Sequence, residues 1–149
     1  MTLLWREARA EDVPAIVAML ADDMLGKGRE GLDLARYLAA FEAMQAEGSN
    51  LLIVGETDGT VLATYQLTII SGLSLRAARR AQLESVRVAA DRRGQGIGAA
   101  LMADVEARAR AGGCTLVQFT SNSARKRAHD FYTSLGYAPT HVGFKKGLD

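Results

Sequence analysis

Three groups of residues could do chemistry by their types and spacing. The first is Val86-Arg87-Val88-Ala89-Ala90-Asp91-Arg92-Arg93-Gly94-Gln95-Gly96-Ile97-Gly98, a β-branched run that feeds a glycine-rich turn and opens an amphipathic stretch. Glycines let backbone N–H groups approach a ligand that a side chain would block, and a helix N-terminus adds unpaired donors and partial positive charge. Arg92 and Arg93 add full charge, so the junction suits an anion, and its expected guest is a phosphate-bearing cofactor. The second is Glu84, a carboxylate on the same run, two residues before Val86. The third is Ala128 with Tyr132 four residues on, a pair that shares one helix face and leaves room beside a phenol.

The glycine turn admits other readings. Gly94-x-Gly96-x-x-Ala99 also satisfies a dinucleotide-binding pattern. That fold wants the turn after its first strand and an acidic residue about 20 positions on, at the end of the next strand. Gln118, Phe119 and Thr120 occupy that region, and too little chain follows. No Gly-Lys-Ser/Thr follows the turn, which excludes a P-loop. A plain strand-to-helix turn with surface arginines is the remaining alternative.

The elements that must position these groups can be read from periodicity. Residues 3–6 form a first strand; Asp12 is placed as an N-cap with Pro14 in the first turn, and Val13, Ile16, Val17, Leu20 and Met24 recur at helical spacing. Glycines at 26, 28 and 31 separate this helix from a second one with Leu34, Tyr37, Leu38 and Phe41 on one face. Residues 51–56 and 61–70 form antiparallel strands around the hairpin signal Asp58-Gly59. Residues 71–81, with Arg76, Arg79 and Arg80, read as a loop, and 83–88 as the fourth strand. Residues 98–110 form a helix ended by Gly112-Gly113, and 115–120 a fifth strand, parallel to the fourth because a helix joins them. Residues 123–135 form a last helix closed by Gly136, and 141–146 a final strand. The order β-α-α-β-β-β-α-β-α-β describes an α/β mixed sheet flanked by helices.

With 149 residues, 48% hydrophobic and 23% charged, one compact domain spanning 1–149 is expected. A net charge of +1 gives no global field toward nucleic acid or acidic membranes, so anion recognition must be local. Cys114 is the only cysteine, and His129 and His141 are the only histidines, which leaves no disulfide and no expected metal site. The start lacks the long apolar run of a signal peptide, and no segment reaches the roughly 18 apolar residues of a membrane span. A cytoplasmic protein is the expectation.

Taken with the element order, Arg93-x-x-Gly96-x-Gly98 resembles the pyrophosphate loop of the GCN5-related N-acetyltransferases (GNAT). Asn122, Ala128, Phe131-Tyr132 and Leu135-Gly136-Tyr137 resemble the same family's second cofactor segment. The resemblance covers nearly the whole chain, most specifically residues 83–137. It implies a sheet whose fourth and fifth strands splay apart, with acetyl-CoA as cofactor and coenzyme A as product. By that likeness Val86, Arg87 and Val88 flank the pantetheine arm, Arg93, Gly94, Gln95, Gly96, Ile97, Gly98 and Ala99 surround the pyrophosphate, and Asn122 reaches a polar group of the cofactor. Ala128 leaves room for it, and Arg125-Lys126-Arg127 would lie close to the 3′-phosphate.

The resemblance also implies that Tyr132 protonates the departing thiolate and that Glu84 is the base that accepts the amine's proton, with Leu83 and Val86 expected to desolvate it in part. The plainer reading of Glu84 is a surface carboxylate paired with Arg87 or Arg76. Strict alternation puts Arg87 on the opposite face unless a bulge intervenes. For Asn122 the plainer reading is a helix cap, for Tyr132 an aromatic core residue.

The leading expectation is therefore an acetyl-CoA-dependent N-acetyltransferase acting on a primary amine of a small molecule or peptide, by direct transfer in a ternary complex. The alternative is an acyl-CoA-binding sensor or interaction module without efficient chemistry. Residues 25–36 and 71–80 are the segments expected to set acceptor specificity, and their arginines would suit a carboxylate or phosphate on the acceptor. The ending His141-Val142-Gly143-Phe144-Lys145-Lys146 looks like that of a common bacterial subgroup, and a homodimer would be usual for the family.

Overall fold

A computed structural model describes residues 2–22 and 33–149. They fall into two compact units, one ending at Gln118 and one spanning Phe119–Asp149. Met24, the glycines at 26, 28 and 31, and most of the specificity segment 25–36 lie outside the described residues.

The first unit is built on a five-stranded sheet in the spatial order β1-β2-β3-β4-β5. Its strands are β1 (Leu4–Glu7), β2 (Asn50–Thr57), β3 (Thr60–Ile70), β4 (Arg80–Val88) and β5 (Leu116–Gln118). Every neighbouring pair is antiparallel except β4 and β5, which run parallel, as the intervening helix requires. The hairpin between β2 and β3 turns on Asp58 and Gly59, both with positive φ (50° and 80°), the conformation a two-residue type I′ turn demands.

Alternation sorts the sheet's side chains onto two faces. On one face Ile53, Tyr65, Leu67 and Leu83 are fully buried, and the Tyr65 hydroxyl donates to Asp104 on helix α4 (Ile97–Ala111) at 2.5 Å. Leu101, Met102, Val105 and Ala109 supply the buried stripe of that helix. On the other face Leu52 and Val54 pack with α1 (Val13–Ala21) and α2 (Leu34–Glu47) through Val13, Ile16 and Phe41.

Asp12 occupies the N-cap position of α1 as expected, but its side chain makes no capping hydrogen bond to that helix. A short 3-10 turn, Ala10–Asp12, precedes the helix, and the Asp12 carboxylate accepts from the Arg9 N–H at 2.7 Å and pairs with the Arg6 guanidinium at 2.7 Å. Arg6 also reaches Glu56 at 3.1 Å, so a nearly buried charge is held by a cross-strand pair instead of a helix terminus. Pro14 sits in the first turn of α1 as expected. The β3–β4 segment is not a plain loop: it contains a four-residue turn, α3 (Ser74–Ala77), in which Leu75, Arg76 and Ala77 all have positive φ, and β4 begins at Arg80, earlier than periodicity indicates.

The second unit contains α5 (Lys126–Ser134), which starts three residues later than expected. An Asx turn takes up the difference: Asn122 Oδ1 accepts from the Ala124 N–H and the Asn122 carbonyl from the Arg125 N–H, both at 2.9 Å. The expected final strand over 141–146 is absent. Val142 and Phe144 are 78% and 92% exposed, and two apolar residues interleaved with Gly143 and Lys145 bury too little to hold a strand that has no ladder. No helix among the described residues is long and apolar enough to cross a membrane.

Candidate active site

Strand β4 carries an extra residue. Gln66 pairs with Glu84 and Thr64 with Arg87, so Ser85 and Val86 together oppose the single residue Tyr65. This is a β-bulge, and Ser85 within it has a positive φ (55°). Its consequence is a change of face. Thr64 and Gln66 point the same way, so their partners Arg87 and Glu84 do too, and the opposite-face assignment from strict alternation is corrected.

Glu84 is exposed, and among the described residues it forms no ion pair. Its neighbours therefore do not desolvate it, and its pairing with Arg87 or Arg76 is not made. Arg87 instead donates to the Val86 carbonyl at 2.9 Å. Opposite Glu84, Gln66 is held by a polar chain: its amide donates to Asn50 Oδ1 at 2.9 Å, and Asn50 donates to Glu47 at 2.7 Å.

The parallel ladder between β4 and β5 covers three residue pairs and stops at Gln82 with Gln118, while β4 runs on to Val88. Val86, Arg87 and Val88 are half-buried and lie on the continued stretch. A 3-10 turn, Ala90–Arg92, then leads into the glycine segment, anchored where the Ala89 N–H donates to the Leu62 carbonyl at 2.8 Å.

Arg93 is extended and exposed, and Gly94 and Gly96 both have φ near 80°. A Cβ at either glycine would meet nothing within 4 Å, so the backbone there is open to a ligand. Gly96 is the N-cap of α4, and no side chain caps the helix. The first helical hydrogen bond runs from the Ala100 N–H to the Gly96 carbonyl at 3.1 Å, so the amides of Ile97, Gly98 and Ala99 precede the helical ladder. Ile97, 2% exposed, pins this end of the helix to the core, while Gly98 and Ala99 follow it. Open glycine backbone, uncapped helix amides and the Arg93 charge lie together, a combination whose chemistry suits an anion.

In the second unit, Tyr132 and Ala128 are half-buried on one face of α5. The Tyr132 ring packs on Phe119 with centroids 4.5 Å apart, and Phe119 packs on Tyr137 at 5.2 Å. The Asn122 side chain is engaged in its own turn, and its carbonyl meets His129 Nε2 at 3.0 Å, so His129 is half-buried instead of solvated. Cys114 is half-buried in the first unit, and burial pushes its thiol pKa up, the nearby Arg79 charge opposing this. That disfavours the thiolate a nucleophile would need.

Sequence reasoning missed Ser85, Gln66 and a cavity beside them, of about 110 Å³, between the α1–α2 pair and the sheet. One signal was present: the buried apolar positions Ala81 and Leu83 are odd-numbered and Val86 and Val88 even-numbered, a parity switch that marks an inserted residue.

The acetyltransferase (GNAT) family model matches residues 14–137. Aminoalkylphosphonate N-acetyltransferase of Salmonella typhimurium is 27% identical over 143 residues, 96% of this chain and 90% of that protein. Among solved structures, a Bacillus halodurans C-125 protein described as a transcriptional regulator superposes with a TM-score of 0.94 at 35% identity, covering 99% of this chain and all of that one. Glucosamine-6-phosphate N-acetyltransferase from Arabidopsis thaliana gives a TM-score of 0.80 at 18% identity over the whole of both chains, a likeness of fold. The chain belongs to the acetyltransferase (GNAT) family. Its class is that of an N-acetyltransferase, and proteins of this family use acetyl-CoA as co-substrate.

Proposed function

We propose that this protein transfers an acetyl group from acetyl-CoA to a primary amine of a small molecule or peptide, directly and without an acyl-enzyme. The observation that carries the reading is the bulged β4 that continues past its ladder with β5 and runs into an open glycine cradle. In this reading Arg93, Gly94, Gln95, Gly96, Ile97, Gly98 and Ala99 hold the pyrophosphate, and Val86, Arg87 and Val88 lie along the pantetheine arm. Asn122 and Ala128 border the cofactor from the second segment, and residues 1–149 act as one catalytic domain.

When bound, acetyl-CoA supplies an acetyl group activated as a thioester, whose C–S bond breaks as the C–N bond of the amide forms. Glu84 takes the proton that an ammonium must lose before its nitrogen can attack. A backbone N–H near Val86 or Val88 polarises the carbonyl being attacked. Tyr132 gives its phenolic proton to the leaving sulfur, which a phenol, with a reference pKa of about 10, can do only at close range. The raised thiol pKa of Cys114 and its position two residues before β5 support transfer without a cysteine intermediate.

The Salmonella relative's name offers aminoalkylphosphonates as one acceptor class to try. The test is calorimetric titration with acetyl-CoA against NADH as control, followed by an amine screen read by thiol release. Acetyl-CoA binding with amine-dependent thiol release is the expected result. Binding of NADH alone would return the dinucleotide reading, and acetyl-CoA binding without product over a broad amine panel would turn the reading toward a sensor.

A further inference from the structure

A cavity of about 110 Å³ lies between the α1–α2 pair and the sheet, and Val13, Ile16, Phe41 and Leu52 give it an apolar wall. Three of these, Val13, Ile16 and Phe41, are at most 6% exposed, so the wall is part of the core and rigidly set. The cavity also reaches Gln66 and Ser85. Gln66 is the cross-strand partner of Glu84, and Ser85 is the residue after it. The bulge thus brings the lining of an apolar cavity next to the carboxylate proposed as the base.

We infer that the acceptor amine carries a short apolar arm and that this cavity holds it while Glu84 faces the nitrogen; this rests on the acetyl-transfer reading above. Size sets the arm: the volume is below the roughly 150 Å³ that takes up a benzene ring, which leaves room for a short alkyl chain. Chemistry sets its polarity. Among the described residues no charged side chain lines the cavity. Of the arginines at 76, 79 and 80, none lines the cavity: Arg79 donates to the Gly112 carbonyl at 2.7 Å and to Ser71 at 2.8 Å, Arg80 to Ser74 at 3.4 Å, and Arg76 is exposed. A carboxylate pushed into this wall would lose its water without gaining an ion partner.

The experiment is a steady-state series of ethylamine, propylamine, butylamine and pentylamine, with β-alanine as the anionic comparator of similar length. Acetyl-CoA binding is measured in parallel by calorimetry. Each added methylene up to butylamine should raise kcat/KM about four-fold, the ~0.8 kcal/mol of a buried CH₂. β-Alanine should fall at least about ten-fold below butylamine, since an unpaired buried charge costs more than one such methylene gains. Ala40→Leu, which adds bulk at the cavity lining from a helical position, should lower the butylamine-to-ethylamine ratio of kcat/KM about ten-fold.

A flat series, or β-alanine above butylamine, in protein that binds acetyl-CoA and acetylates ethylamine overturns the apolar arm and leaves acetyl transfer standing. If acetyl-CoA binds and none of the amines is acetylated, calorimetry of the amines on coenzyme A-saturated protein decides. Tighter binding of butylamine than ethylamine supports the inference, and equal or absent binding overturns it. Failure to bind acetyl-CoA overturns both readings.

Discussion

Gly48, Gly94 and Gly96 share one backbone problem and differ in what surrounds them. Each has φ between 74° and 80°, and a Cβ built on any of them meets nothing within 4 Å. Replacing each in turn by alanine therefore introduces no clash. The cost is the backbone alone: about 1–2 kcal/mol where the residue is left-handed, as Gly96 is with ψ 4°, and more at Gly48, whose ψ of −42° lies outside that region. For a chain of this length that corresponds to a fall in Tm of roughly 2–4 °C per kcal/mol. Gly48 closes α2, whereas Gly94 and Gly96 form the proposed pyrophosphate cradle. A methyl group at 94 or 96 projects into the space a ligand would occupy, and losing one charge-assisted hydrogen bond there, worth about 1.5–3 kcal/mol, weakens binding ten-fold or more. Thermal scans and acetyl-CoA calorimetry on the three variants separate the terms. A fall in Tm in every variant, largest in Gly48→Ala, with weakened binding only in Gly94→Ala and Gly96→Ala, is expected. Wild-type affinity in both, or an equal loss in Gly48→Ala, would refute the cradle.

Glu84→Gln should lower kcat by about 10²-fold or more, the usual worth of a positioned acid or base, with acetyl-CoA affinity nearly unchanged, and Tyr132→Phe should behave alike; unchanged turnover removes either residue from the mechanism. Gly55→Ala would drive a Cβ to 2.6 Å from the Trp5 ring, its cross-strand partner, and should cost about 1–3 kcal/mol by urea unfolding, an unchanged midpoint showing that the ring simply moves aside. The Arg6 hydrogen bond holds Asp12 below its ordinary pKa of 3.8, so its stabilisation is fully present above that value and is lost as pH falls through the lower folded-state pKa. Asp12→Asn should flatten that part of the acid limb in unfolding curves taken between pH 2 and 6, and an identical acid limb in the variant contradicts the assignment.

Much of this architecture was legible because the signals were local. Asp58-Gly59 announces a hairpin by itself, the apolar stripe of α4 is a clean helical repeat, and a helix between two strands dictates that they run parallel. What failed depended on partners. Asp12 has the residue type and position of a cap, and only the distant strand β1, which brings Arg6 to it, explains why it forms an ion pair instead. Residues 141–146 alternate like a strand, but alternation records a preference for a pleated surface, and a strand exists only where a ladder receives it. The late start of α5 follows from Asn122 bonding its own turn, a competition with the helix that asparagine offers wherever it stands near a terminus.

The bulge connects the part that was legible to the part that was not. Paired to β3 with no bulge, this same sequence would put Glu84 and Arg87 on opposite faces. With it, Glu84 and Arg87 share the α1–α2 face and Ser85 borders the apolar cavity, while Leu83 and the start of the strand stay buried against α4. The bulge therefore leaves the N-terminal half of β4, Glu84 included, in its regular register, and returns Arg87 beyond it to the face of Glu84, a few residues from the glycine segment. Deleting Ser85 would leave Glu84 opposite Gln66 and Arg87 opposite Thr64 on one face and would remove only the bulge, with its kinked backbone beside the cavity, so the deletion should lower activity more than Ser85→Ala, which keeps the bulge. Comparing the two variants by thiol release, after circular dichroism has shown that both fold, separates the bulge from the serine hydroxyl. Equal activities would mean that the bulge has no part in the site.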